Sequence, residues 1–289
     1  MKRNIEIGKY AGFCGGVNLC IKTLNDELEK NNEKIYCLGE LVHNKDVVNN
    51  FKNKGVVFVD SIDEVPDNSK LVIRAHGAEK HTYELAKARE MKILDLTCPK
   101  VAKIKEDVKE YINEESYIIL VAKKNHPEAK STISFLGNNA CIIENKEELK
   151  EIISKLNGYK NIAIIAQTTF DEKTFLEYAE YIKENVNKDT NVIVKNTICN
   201  ATSIRQNETR EMATAKDIMI IIGGKNSSNT HELYDIANEN CTNTYWVETK
   251  EELDLTVLED KINIGIMAGA STPKNVIDDV VQAIEGYKE

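Results

Sequence analysis

The chain has 289 residues, 42% hydrophobic and 29% charged, with a net charge of −9 and a pI near 5.3. This length supports one large domain or two to three smaller ones without disulfide staples, and the ordinary composition, with only 4 prolines, excludes extended disorder. The acidic balance excludes a general nucleic-acid role, which needs a basic field; no apolar run nears the roughly 18 to 20 residues of a membrane span, and the start, MKRNIEIGKY, lacks an apolar secretory core, so a cytoplasmic protein without a membrane partner is expected.

In chain order, short runs rich in Ile and Val alternate with stretches of helical spacing. NIEIGKY precedes a helix over Asn18 to Lys30, KIYCLGEL and KLVIRAHG precede one over Thr82 to Glu90, and KILDLTC leads into Val101 to Tyr111. SYIILVAKKNHPE is followed by a helix over Lys146 to Leu156, NIAIIAQTT by one over Glu172 to Asn185, and then comes NVIVKNTIC. DIMIIIGGKNSSN, a helix over Thr230 to Asn240, the run from Lys261 to Thr272 and a helix over Lys274 to Tyr287 complete the pattern. Apolar runs without alternation are strands covered on both faces, the mark of a parallel sheet. Their alternation with helices predicts an α/β fold with right-handed crossovers.

Ligands of open parallel sheets gather beyond the carboxyl ends of the strands, so the residues closing each run are the candidates. Three of these are cysteines, Cys14, Cys98 and Cys199. They fall in different thirds, which predicts three small α/β domains around a shared centre, over residues 1–97, 98–197 and 198–289, each carrying one cysteine. An odd total of seven cysteines in a reducing compartment argues against a disulfide framework. Cysteine is by default a small buried hydrophobe, and that reading is given to Cys20, Cys37, Cys141 and Cys241. Cys14-Gly15-Gly16 and Cys98-Pro99 instead open helices, where free N–H groups and the helix dipole stabilise a thiolate. Three thiolates are one short of a closed four-ligand cluster or zinc site, which leaves one metal position for water or substrate.

His43, His76 and His126 close three further runs, and Ser227, Ser228, Asn229 and Ser271 lie in loops that precede helices. Hydroxyls with helix-terminal N–H groups hold phosphate well, so these residues together predict an anion pocket, although either serine loop alone reads equally as an N-cap. GGKN lacks the spacing and the Lys-Ser/Thr ending of a nucleotide P-loop. Glu128, two residues after His126, is a solvated surface group if exposed; if enclosed it is a proton donor, its pKa raised by desolvation and phosphate charge. Thr168 and Thr169 are placed to relay that proton or to fix a substrate hydroxyl.

The motifs GFCGGV, LVHN, RAHG, DLTCPKV, NHPE, AQTT, TICNATSIRQ, GGKNSSNT and AGAST occur in that order between residues 12 and 272. Together they resemble the family of 4-hydroxy-3-methylbut-2-enyl diphosphate reductases, the last enzymes of the non-mevalonate isoprenoid pathway. The resemblance implies a trefoil of three α/β domains around a [4Fe-4S] cluster held by Cys14, Cys98 and Cys199. It implies diphosphate binding by His43, His76, Ser227, Ser228, Asn229 and Ser271 with His126 lining the same pocket, and a substrate hydroxyl on the fourth iron near Thr169 and Glu128. Glu128 would supply protons, and two electrons from a ferredoxin or flavodoxin would remove the hydroxyl as water. One departure is HPEAKST, where Ala129 and Ser131 replace a family pattern of Val-x-Gly-Thr; Ser131 tolerates a positive φ less well than glycine, which puts the backbone of that turn in question.

Two rival readings use the same residues. One is a zinc or iron hydrolase of a diphosphate with Glu128 as base. The other is a cluster-bearing redox sensor or anion-binding module, which would bind ligand and make no product.

Overall fold

Runs apolar on both faces become the inner strands of three parallel sheets in the computed structural model, which describes residues 3–30 and 33–287. Strand β1 (Asn4–Ile7) and helix α1 (Gly15–Lys30) come first. Then β2 (Ile35–Leu38), α2 (Lys45–Asn53), β3 (Val57–Val59), β4 (Lys70–Ile73), α3 (Lys80–Ala88) and β5 (Lys92–Asp95) form a sheet of order β3-β2-β4-β5. After α4 (Pro99–Asp107), a second sheet of order β7-β6-β8-β9 arises from β6 (Ser116–Val121), α5 (Pro127–Ile133), β7 (Ala140–Ile143), α6 (Lys146–Leu156), β8 (Asn161–Ala166), α7 (Glu172–Asn185) and β9 (Asn191–Val194). Helix α8 (Asn200–Ala213) leads into β10 (Ile218–Ile222), α9 (Ser228–Asn240), β11 (Thr244–Val247), β12 (Asn263–Ala268) and α10 (Lys274–Gly286).

The third sheet, β11-β10-β12-β1, is completed by the first strand of the chain, with Asn4 opposite Asn263 and Ile7 opposite Ile266. Each sheet therefore has one topology: its first and third strands lie inside, its second at one edge and its fourth at the other, with β1 as fourth strand of the last. The expected α/β class with three small sheet-centred domains is present, and every strand pair is parallel. Of the stretches 1–97, 98–197 and 198–289, the second contains all of β6 to β9 and the third all of β10 to β12; β1 lies in the first and pairs in the sheet of the third. Contact density groups the described residues up to Leu19, Val42–Phe51 and those from Asn200 onward into one compact unit, and Cys20–Leu41 with Lys52–Cys199 into another.

Alternate residues of the inner strands feed opposite layers. In the second unit Tyr117, Ile119, Ile162 and Ile164 pack with Phe175 of α7, whereas Ile118, Leu120, Ala163 and Ile165 pack with Ile104 of α4. In the first unit Ile220, Ile222, Ile264 and Ile266 pack with Val280 and Ile284 of α10, and Met219, Ile221 and Met267 face Leu233 and Ala237 of α9. Helices α6 and α7 occupy the predicted spans. Helices α2, α5 and α8 and the edge strands β3, β7 and β11 were not expected. Helix α8 buries Thr202, Arg205, Gln206 and Thr209, and only in its last turn the apolar Met212 and Ala213, so no apolar stripe runs along its inward face. Among the described residues no helix is long and apolar enough to cross a membrane.

Phe175 is fully buried between α7 and the second sheet. Phe175→Ala is expected to lower the free energy of unfolding by about 3 to 5 kcal/mol, measured by denaturant titration of the circular dichroism. A loss below about 1 kcal/mol would show that α7 does not seal that layer.

Candidate active site

Each candidate cysteine occupies the same place in its sheet. It follows the fourth strand, and its backbone N–H donates to the carbonyl two residues past the end of the third: Cys98 to Ala75 at 2.9 Å, Cys199 to Thr168 at 3.0 Å and Cys14 to Ala270 at 3.1 Å. The residue after that carbonyl is His76, Thr169 or Ser271, all three predicted from sequence. Helices α1, α4 and α8 begin directly after Cys14, Cys98 and Cys199. Cys98 is the N-cap of α4 with Pro99 in the first turn, and the Cys14 Sγ accepts from the Val17 N–H at 3.5 Å. All three are half-buried and outside any disulfide.

The other cysteines behave as packing groups. Cys20 lies within α1, Cys37 in β2, Cys141 in β7, and Cys241 caps the end of α9. Burial, with Cys20 adding to it and Arg74 opposing, pushes the Cys37 thiol up to about 12, so it stays protonated and inert.

Glu128 is 1% exposed in the first turn of α5. Its Oε1 accepts from the Thr168 N–H at 2.6 Å and its Oε2 from the Thr168 hydroxyl at 2.7 Å. Burial pushes its carboxyl up to about 7, with the two Thr168 bonds pulling the other way. Desolvation wins because no cation contributes. The His126 Nδ1 caps α5 by accepting from the Glu128 N–H at 3.2 Å, which leaves the proton of a neutral ring on Nε2, and the His76 and His126 rings meet edge to face at 5.2 Å. Gln167, fully buried, accepts from the Lys123 N–H at 3.1 Å and donates to the Thr169 hydroxyl oxygen at 2.7 Å. Ser131 sits inside α5 with no positive φ, so the suspected turn distortion is absent; its hydroxyl donates to the Ala78 carbonyl at 2.8 Å.

In the other unit, Ser227 is the N-cap of α9, its Oγ accepting from the Thr230 N–H at 3.3 Å. The helix starts at Ser228, two residues before the predicted start, and Ser228 and Asn229 are its first residues. The buried Asn229 accepts from the Ala270 N–H at 2.9 Å through Oδ1, while its Nδ2 is a buried donor without a partner among the described residues. A donor of this kind costs free energy unless an acceptor arrives. Ser271 donates to the His43 carbonyl at 3.1 Å. Gly224 lies so close to that carbonyl that a Cβ would stand 2.6 Å from it, and Lys45 pairs with Glu248, which also accepts from the Lys225 N–H at 2.7 Å. His43, Ser271, Asn229 and the start of α9 are thereby fastened to one another.

Residues 5–285 match the LytB protein family. The chain belongs to that family. Among its LytB relatives it is similar to the 4-hydroxy-3-methylbut-2-enyl diphosphate reductase of Clostridioides difficile (strain 630), 39% identical over 98% of this chain and 99% of that one, and to that of Aquifex aeolicus (strain VF5), 38% identical over 98% and 96%. Its fold is similar to the solved E-1-hydroxy-2-methyl-but-2-enyl-4-diphosphate reductase from Plasmodium falciparum, with a TM-score of 0.91 at 27% identity over 98% of this chain and 88% of that one. A second solved reductase, described as the terminal enzyme of the non-mevalonate pathway, gives 0.70 at 37% identity over 99% and 100%. Within this LytB chain, Gln167 and the contacts made by α8 were missed from sequence; the signal for Gln167 was a polar residue directly after the apolar run Ile162 to Ala166 of β8.

The folded chain keeps the Glu128 proton over a pH range in which the unfolded chain, with a carboxyl near 4.5, has lost it. The unfolded state then binds fewer protons, so stability falls as pH rises from about 4.5 through about 7. Glu128→Gln is expected to flatten that dependence in denaturant titrations across the window. A wild-type curve parallel to the variant's at every pH would count against the buried proton.

Proposed function

We propose that the chain catalyses the reductive dehydroxylation of (E)-4-hydroxy-3-methylbut-2-enyl diphosphate to isopentenyl and dimethylallyl diphosphate in the cytoplasm, consuming two electrons and two protons and releasing water. The observation that carries the reading is Glu128: a buried carboxyl with a pKa near 7, at the strand-end edge of a parallel sheet, in a member of a family whose named relatives are reductases of this substrate. A group that holds its proton at neutral pH is suited to general acid catalysis.

Cys14, Cys98 and Cys199 are proposed as the ligands of a [4Fe-4S] cluster. Their fit is chemical: three thiols, each directly before a helix, are the donor type that such a cluster takes. Such a cluster supplies electrons and, at an iron without a protein ligand, Lewis acidity toward an oxygen. The chain's own part is binding and proton delivery. Asn229 Nδ2, Ser227, Ser228 and Ser271 with His43, His76 and His126 would hold the diphosphate. Glu128 would hold the proton at its carboxyl, and the Thr168 hydroxyl, bonded to Oε2 at 2.7 Å, would fix its direction. Thr169, braced by Gln167 at 2.7 Å, would orient the substrate hydroxyl. No nicotinamide or flavin motif is present in the sequence, so the electrons would come from a ferredoxin or flavodoxin.

Anaerobically purified protein is expected to be brown, to carry about four irons per chain, and to convert the substrate with dithionite and a viologen. Chelation of the iron should abolish turnover. Alanine at Cys14, Cys98 or Cys199 should remove iron, whereas Glu128→Gln should keep the iron and lower kcat about 10²- to 10⁴-fold. Phosphate release without a reductant, or reconstituted protein free of iron, would overturn the proposal.

A further inference from the structure

The three cysteine-bearing loops differ in length and in how they are fastened. Residues 96–97 are held within their own sheet, the Thr97 N–H donating to Asp95 at 2.9 Å. Residues 195–198 are held by Thr197, whose hydroxyl oxygen accepts from the Ala166 N–H at 2.8 Å. Residues 8–13, which lead to Cys14, form the longest of the three. They carry Gly12 with φ of +92° and the exposed Tyr10, and bond back to their own sheet through the Gly8 and Gly12 N–H groups, to Ile266 at 2.8 Å and Ala268 at 3.3 Å.

Helix α8 supplies further fastening. Glu208 takes the Lys9 N–H on Oε1 at 2.6 Å and the Tyr10 N–H on Oε2 at 3.1 Å. Arg205, 4% exposed, donates through Nη2 to the Gly12 carbonyl at 2.8 Å and through Nη1 to the Ala201 carbonyl at 2.7 Å. Burying a guanidinium is costly unless it is bonded, and here it binds a backbone carbonyl two residues before Cys14. Two charged side chains one turn apart therefore grip both ends of one loop. The helix that carries them begins directly after Cys199, so the backbone leaving one cysteine anchors the backbone entering another.

We propose that Arg205 and Glu208 are positioning residues that fix the Cys14 sulfur for metal binding; the inference rests on the ligand role proposed for Cys14. The loop has long reach and a left-handed glycine, and without the clamp only the sheet bonds of Gly8, Gly12 and Cys14 limit where its cysteine goes. With it, the loop is committed before metal arrives.

The test uses the full chain purified anaerobically with its iron, as wild type, Glu208→Ala, Glu208→Gln and Arg205→Lys. Iron release to a chelator is followed first, then alkylation of each cysteine in the iron-depleted chain by mass spectrometry, with the unfolding midpoint as a check. Glu208→Ala is expected to speed iron release and Cys14 alkylation about tenfold, the scale of lost charge-assisted hydrogen bonds, while Cys98 and Cys199 stay within about twofold. Glu208→Gln, which keeps one acceptor, and Arg205→Lys should fall between. Unchanged Cys14 reactivity, or an equal rise at all three cysteines, overturns the clamp. A wild-type chain without iron overturns the cluster reading instead, and Cys14 alkylation still decides whether the loop is clamped.

Discussion

The hydrogen bond from a cysteine N–H to a carbonyl just beyond the neighbouring strand sets the chemistry of each sheet. Parallel strands run in one direction, so the residues that follow them emerge at one edge. Where the ladder continues past the strands, as at Cys14, Cys98 and Cys199 with distances of 2.9 to 3.1 Å, the fourth-strand loop is locked to the third-strand loop. That lock determines that the residue beside each cysteine's partner is His76, Thr169 or Ser271. A slip of one residue in the third and fourth strands would turn each of these side chains to the opposite face.

Two carboxyls show how the loops divide their labour. Glu128 and Glu248 both accept from backbone N–H groups on a neighbouring loop, and burial works to raise both. For Glu128 burial prevails, because its partners are the amide and hydroxyl of Thr168. For Glu248 the Lys45 bond and the Lys225 N–H outweigh burial, and its carboxyl is held below the usual range. A nearby cation is the deciding variable. Glu248 is therefore an ionised tie that holds the His43 loop, whereas the Glu128 carboxyl is pushed up to about 7.

Much of this was legible in the sequence. Strands β6 and β10 are buried along their whole length and β8 after its first residue, so their composition announced them, and the polar residues that close them announced the edge. Glu128 was recognisable as a candidate, yet its burial comes from packing in α5 and the bond to Thr168, 40 residues away, and no local pattern carries that. Helix α8 was invisible for the opposite reason. Until Met212 and Ala213 in the last turn, its buried face is made of Thr202, Arg205, Gln206 and Thr209, and a largely polar face directed inward defeats an argument from apolar periodicity. The membership of β1 in the last sheet was equally hidden, since a parallel pair formed by Asn4 and Asn263 leaves no trace in neighbouring residues.

That pairing changes how Cys14 must be held. The other two cysteines follow strands whose sheets close within a continuous stretch of chain, but the sheet of Cys14 is finished only when residues 4–7 meet β12. Contacts of such sequence separation carry the largest closure entropy and form late. A short loop after β1 would have to be placed by this one edge strand, which is four residues long and largely exposed. Fastening the loop to α8 instead spreads the task over a helix that itself packs against α9. The polar inner face of α8 is then accounted for: residues that a core would not choose are retained where the backbone of a distant loop needs partners.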